Sequence, residues 1–254
     1  MELTLDDVTL TLSGRTVLSD AHVAFRPGRV TVIVGPNGAG KSSLVRAAAG
    51  LLSPATGHIR VGVDDLATLD PRARARLIGY LPQEASVHWN VPAREVVALG
   101  RLPHRSPFAA PAPEDRAAID HVLALTDTTA FADRPVHTLS GGERARVLFA
   151  RVLAGRPRWL IADEPLASLD PAHQFALLDL ARRAADDGAG VVLVLHDLAH
   201  AARIADDVLI LRDGRVVGFG PVEKVLTPDA VETVFGVSAR RIDGALIIEG
   251  PLSR

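Results

Sequence analysis

Residues 30–50, VTVIVGPNGAGKSSLVRAAAG, constrain this chain more than any other stretch. Val30 to Val34 are strand formers, and they run without a break into Gly35-Pro36-Asn37-Gly38-Ala39-Gly40-Lys41-Ser42-Ser43. Leu44, Val45 and an alanine run then read as a helix. Strand, GxxxxGK[ST] and helix in this order are what a phosphate-binding loop requires. The glycines allow a tight curl with positive φ, so that successive N–H groups face inward around an anion. The helix adds its dipole and its unpaired first amides. Lys41 is expected to reach the β- and γ-phosphates, and the Ser42 hydroxyl to ligate Mg²⁺. Of 28 basic residues only Lys41 and Lys224 are lysine. A chain that otherwise uses arginine keeps a slim ammonium where a planar guanidinium would fit poorly among phosphates.

A continuous apolar strand followed by a helix belongs in a parallel sheet, and the rest of the chain supplies its neighbours. Residues 2–12 and 17–25 alternate as two antiparallel strands joined at Ser13-Gly14. HIRVGV (58–63) is a short strand, PRARARL (71–77) a helix with proline first, and IGYLPQ (78–83) follows it. WLIADEP (159–165) and VVLVLHD (191–197) are buried strands around a helix at 171–186. A helix at 198–205, two strands about Asp213-Gly214, a helix at 228–235 and a last strand ALIIE complete the chain. The stretch 84–137 differs: it holds Pro92, Pro103, Pro107, Pro111, Pro113 and Pro135, with helical patterns at 92–99 and 113–125. An amphipathic helix, 139–155, comes after it. The expected fold is α/β: a core at 1–83 and 156–254 with a mixed, largely parallel sheet and an antiparallel β subdomain, and an inserted α-helical subdomain at 84–155.

Composition removes several chemistries. There is no cysteine, so disulfides, zinc-thiolate sites and thiol catalysis are excluded, which fits a reducing compartment. Basic and acidic residues nearly cancel, 28 against 30, which leaves no global field for nucleic acid or an anionic membrane. No apolar run approaches the ~20 residues a membrane span needs. MELTLDDVTL alternates and carries acids, so it reads as a strand and not as a signal peptide; a soluble cytoplasmic protein is the expectation.

Four further groups of residues carry chemistry. Asp163 and Glu164 end a hydrophobic strand, at the edge of a parallel sheet where ligands bind. Beside a phosphate loop, Asp163 would hold Mg²⁺ and Glu164 would orient an attacking water. Taken alone, such a pair is more often a cap on helix 171–186 or simply solvated, and the phosphate loop is what favours the functional reading. His196 also follows a buried strand and could hold a γ-phosphate or the water–carboxylate geometry. Gln83 could contact Mg²⁺ or the water, though an ordinary surface glutamine is commoner. Ser140-Gly141-Gly142 opens a helix and makes a second anion site. With Glu143 it also reads as a capping box, and the two roles are compatible.

These residues, in this order, resemble the nucleotide-binding subunits of the ATP-binding cassette (ABC) transporters. The matches are the phosphate loop Gly35–Ser42, Gln83, the signature Leu139-Ser140-Gly141-Gly142-Glu143, the strand ending Asp163-Glu164, the D-loop Ser168-Leu169-Asp170, and the switch histidine His196. The resemblance implies an ATPase using ATP and Mg²⁺ and acting as a head-to-tail homodimer. In it, Ser140 and Gly142 of one subunit close over ATP held by the other. It implies two permease subunits, an indirect solute-binding protein and a place on the cytoplasmic face of the cell membrane. The insertion 84–137 is the expected permease-docking element.

VVALGRLPHR (96–105), the helix DRAAIDHVLALT and EPLASLDPAHQFALLDLARR (164–183) are similar to importers of iron chelates, haem and cobalamin. Importers of molybdate-type oxyanions share parts of this pattern. A soluble cassette ATPase acting on ribosomes or DNA is the other class; one cassette and no sustained heptads speak against it. In one respect the chain departs from the family. Where members carry an aromatic that stacks on adenine, this chain has Leu12. Stacking is worth about 1–3 kcal/mol per base, so modest nucleotide affinity and weak discrimination against GTP are expected.

Overall fold

The computed structural model describes residues 1–83, 90–106, 110–167, 169–242 and 245–251. The chain begins with the hairpin β1 (Leu3–Leu12) and β2 (Arg15–Phe25). Leu3 and Leu5 point inward, and so do Val8 and Leu10. The alternation skips a residue between the two pairs, where Asp7 takes φ 52°. A bulge there resets the phase, so that one strand keeps a single apolar face across an irregularity. β4 (Thr56–Val61) and β5 (Asp64–Asp65) complete a four-stranded antiparallel sheet in the order β2-β1-β4-β5.

The second sheet holds the phosphate loop. β3 (Val30–Val34) lies inside it and is buried at every residue. α1 (Lys41–Ala48) follows β3, and α2 (Pro71–Leu77) leads into β6 (Ile78–Leu81). β7 (Trp159–Asp163) passes through α6 (Pro171–Asp186) to β8 (Gly190–Val194). α7 (Leu198–Ile204), β9 (Asp207–Arg212) and β10 (Arg215–Pro221) come next. The strand order is β10-β9-β3-β8-β7-β6, with every pair parallel except β10–β9. This is the mixed, largely parallel sheet that the sequence implies.

Between β6 and β7 lie α3 (Ala93–Ala98), α4 (Pro113–Leu125) and α5 (Gly141–Ala154), with a 3₁₀ turn at Leu99–His104. Period-two alternation divides the apolar side chains of the large sheet into two cores. Ile33, Ile161, Val192 and Val194 pack with α1 and the antiparallel sheet. Val32, Leu160, Val191 and Leu193 pack with residues of α3, α4, α5 and α6. The helices of the insertion thus share one continuous core with a face of the sheet.

Three local expectations differ from the structure. The strand at 191–197 stops at Val194, because the Asp197 side chain accepts the amides of Ala199 and His200 and starts α7. His196 therefore sits on a loop just off the sheet edge. The strand at 58–63 ends at Val61, where Gly62 turns the chain at φ 64°. After α8 (Val222–Val225) and α9 (Pro228–Phe235), the closing strand β12 (Ala245–Pro251) pairs with an unanticipated β11 (Val237–Ile242) in a separate hairpin. VSARRI has too few apolar residues to signal a strand, since only Ala239 of β11 is buried.

A paired carboxylate cluster anchors β3. Asp207, 1% exposed, accepts from Arg29 at 2.7 and 3.0 Å and from Arg26 at 3.0 Å. Asp206 accepts from the Val30 amide and from Arg182, both at 2.8 Å. Together they hold the entry of β3 to that of β9. Asp207→Asn should lower unfolding stability by about 2–3 kcal/mol in urea, because it leaves two cations facing a neutral amide. A change below about 0.5 kcal/mol would show the cluster to be incidental.

Candidate functional site

The loop from Gly35 to Gly40 curls as the sequence requires, and sterics explain its glycines. Gly35 adopts φ 157°, and a Cβ built there falls 2.2 Å from the Leu211 carbonyl oxygen. Gly40 adopts φ 98° as the residue preceding α1, with a built Cβ 2.5 Å from the Val17 carbonyl oxygen. Only glycine lets the loop pass this close to β9 and β2. Pro36, Asn37, Gly38 and Ala39 complete the turn into α1, Ser43 lies in its first turn, and Ala39 is buried. Lys41 is 5% exposed and folds back over the loop, donating to the carbonyls of Gly35 (2.8 Å) and Pro36 (3.0 Å). Burial pushes its ammonium pKa down, against the pull of Glu164 and Asp163.

Across the sheet edge, Ser42 Oγ donates to Asp163 Oδ1 at 3.2 Å. Asp163 is 3% exposed; burial raises its pKa, opposed by the Ser42 hydrogen bond, and the neighbouring Glu164 charge raises it further. A hydroxyl and a buried carboxylate side by side are hard oxygen donors suited to Mg²⁺, which takes one or two carboxylates alongside substrate phosphates. Among the described residues no cluster of three or more acidic, histidine or cysteine side chains forms a metal cage.

Glu164 is held more tightly than its neighbour. It takes φ 50°, in the left-handed region that a non-glycine residue rarely enters. Its Oε2 accepts from Gln83 Nε2 at 2.6 Å, and its Oε1 lies 2.5 Å from His196 Nε2. Gln83 is thus placed on Glu164 and not on the Ser42–Asp163 pair. A cavity of about 220 Å³ lined by Glu164, His196, Gln174 and His200 opens beside this triad.

The other sequence candidates lie in two separate places. Ser140 caps α5, accepting from the Glu143 amide at 3.2 Å, while its own amide donates to Glu143 Oε2 at 2.8 Å. Asp170 caps α6 and contacts His173, whose ring lies against Gly142. Gly141 is the first residue of α5. Leu12, half-buried at the end of β1, faces Arg15 across the hairpin. Ser168 lies outside the described residues, as do residues 84–89 and 107–109 of the insertion.

The sequence reading missed three contributors. Arg46 is four residues after Ser42, so one helical turn brings its charge to Asp163, and that spacing was a readable signal. Tyr80 lies on β6 opposite Ile161, two residues before Asp163. The third is His173. Tyr80 is the chain's single tyrosine, and burial with the Asp163 charge pushes its pKa up to about 12. A pH jump to 11, read at 295 nm before unfolding begins, should find roughly 10% of it ionised, against about 90% in urea. Because the folded pKa lies above the unfolded one, this group's contribution to stability falls between pH 10 and 12. Full ionisation within the dead time would contradict a half-buried Tyr80 beside Asp163.

Comparison with known proteins agrees with this geometry. The family described as ABC transporter matches residues 18–167. The chain is 43% identical over 236 residues to a cobalamin import ATP-binding protein of Halobacterium salinarum, covering 92% of this chain but only 59% of that protein's length. It is 42% identical over 242 residues to a hemin import ATP-binding protein of Pseudomonas entomophila, covering 92% of each. Its fold superposes on a dimeric ATP-binding cassette in a post-hydrolysis state with ADP and Pi, at a TM-score of 0.76 and 27% identity, covering 87% of this chain and 98% of that one. The chain belongs to the ABC transporter family, as one of its ATPase cassettes.

Proposed function

We propose that two copies of this chain hydrolyse ATP at shared sites, and that the work drives import of a haem- or cobalamin-type metal chelate through a separate permease. For the chemistry, the support is the Glu164 carboxylate, with Gln83 and His196 against its two oxygens, beside the Ser42–Asp163 pair. For the solute, it is the identity to proteins named for hemin and cobalamin import.

On this reading the loop amides and Lys41 hold the triphosphate. Lys41 exchanges the Gly35 and Pro36 carbonyls for phosphate oxygens, whose charge offsets its burial. Ser42 and Asp163 hold Mg²⁺, which when bound neutralises charge on the β- and γ-phosphates. Glu164 accepts the proton of the attacking water. Gln83 on Oε2 and His196 beside Oε1 keep the carboxylate aimed, and each oxygen retains a lone pair for the water. Ser140, Gly141, Gly142 and Asp170 complete the neighbour's site, and Leu12 sits beside the base.

The mechanical division follows the chemistry, with 1–83 and 156–254 as the nucleotide core and 84–155 as the helical unit. The permease docks where the two meet. There a cleft of about 180 Å³ is lined by Tyr80, Leu99, Pro103 and Arg151, with Leu102 exposed at 51% nearby. The permease holds the chain at the cytoplasmic face; among the described residues no helix is long and apolar enough to cross a membrane by itself.

Proteoliposomes carrying the chain with its co-purified membrane subunit and solute-binding protein should accumulate hemin or cobalamin when supplied with ATP. Glu164→Gln should lower both ATP turnover and uptake by about 10²-fold or more while keeping ATP binding. Uptake of molybdate without chelate would overturn the solute assignment. Ribosomes or DNA in place of a permease would overturn transport, and undiminished turnover in the variant would overturn the role of Glu164.

A further inference from the structure

His173, the third residue of α6, touches both surfaces that the dimer reading turns toward a neighbour. Its backbone amide donates to Asp170 Oδ1 at 3.0 Å, and its ring Nδ1 donates to Asp170 Oδ2 at 2.7 Å. A carboxylate only accepts, so this contact fixes the proton on Nδ1. The next residue, Gln174, donates from Nε2 to the Leu169 carbonyl at 3.0 Å and holds the preceding turn of the same loop. The other edge of the imidazole covers the first turn of α5. A Cβ built on Gly142 falls 2.6 Å from ring Cδ2 and 2.8 Å from Nε2, so only glycine permits this approach.

Helix capping accounts for only part of this. The bond from the His173 amide to Asp170 is the ordinary N-cap contact and would form with any side chain at 173. The ring is one-third exposed and the Asp170 carboxylate more exposed still, so their contact adds little to folding stability. What the ring does is tie the loop before α6 to the start of α5, two segments that reach this point from different sides of the chain.

We infer that His173 is a positioning residue: it sets the spacing between Asp170 and the Ser140–Gly142 turn, so that both meet the neighbouring chain's nucleotide in one closing step. This rests on the dimer reading proposed above. Displacing a composite site by about 1 Å can cost on the order of 10²-fold in rate, so one ring between two segments is enough to matter.

The test uses the full chain in the Glu164→Gln background, with ATP-dependent dimerisation measured by sedimentation. His173→Ala should weaken dimerisation about tenfold and, in the chain with Glu164 intact, lower kcat by a similar factor. Binding of a fluorescent nucleotide to the monomer should stay within about twofold, and Tm within about 2 °C. His173→Asn keeps a donor for Asp170 but loses the ring, and His173→Phe keeps the ring but loses the donor. Neither should restore dimerisation, because both contacts are required. If Glu164→Gln with His173 intact stays monomeric, the shared-site reading falls and this inference falls with it. If it dimerises and His173→Ala dimerises as tightly, only this inference falls. A parallel loss of monomer nucleotide binding and Tm would reduce His173 to a structural residue and overturn the assignment.

Discussion

Parallel strands all end at the same edge, and that constraint makes the site. β3, β6, β7 and β8 run side by side in one direction. Each therefore delivers the residues at or just beyond its end to the same rim: Gly35 to Ser42, Gln83, Asp163 with Glu164, and His196. None is near the others in sequence. The buried, fully apolar strands beneath them fix the spacing, because β3, β7 and β8 have no exposed residue that could let them slide. The Asp207 and Asp206 clusters hold β3 to its neighbour at the opposite end.

The rim stores unfavourable terms that folding alone would not select. Lys41 and Asp163 are both nearly fully buried, and burial disfavours the charged form of each. Glu164 occupies a left-handed backbone conformation without a glycine's freedom. A ligand with phosphate oxygens for Lys41 and a divalent cation for Asp163 would relieve the first two. Strain and buried charge gathered at one strand end are the signature of a site shaped for binding.

Much of this was legible in the sequence because the signals were local. GPNGAGKS carries its own geometry, and Pro71, Pro113, Pro171 and Pro228 mark helix starts at the first turn, where φ is already fixed. What could not be read depends on distant contacts. Asp-Glu after a strand does not reveal that Gln83 and His196 take the two oxygens of Glu164, since those residues are 81 and 32 positions away. His173 looks like an ordinary first-turn residue until the fold places Gly142 against its ring. Among the described residues β11 pairs only with β12, and of its own side chains only Ala239 enters the core, too little to signal a strand. The sequence reads as a helical subdomain inserted into the core, and what it does not reveal is that these helices share a core with one face of the sheet.

The central claim is that each copy completes its neighbour's nucleotide site, and the absence of cysteine makes it directly measurable. Asn37→Cys on one copy and Ser140→Cys on another, both carrying Glu164→Gln, would be mixed and treated with a short bis-maleimide. Covalent dimers should appear with magnesium and ATP, require both cysteine variants, and vanish without nucleotide. Cross-linking that ignores nucleotide, or none at saturating ATP while each variant still binds it, would contradict the account.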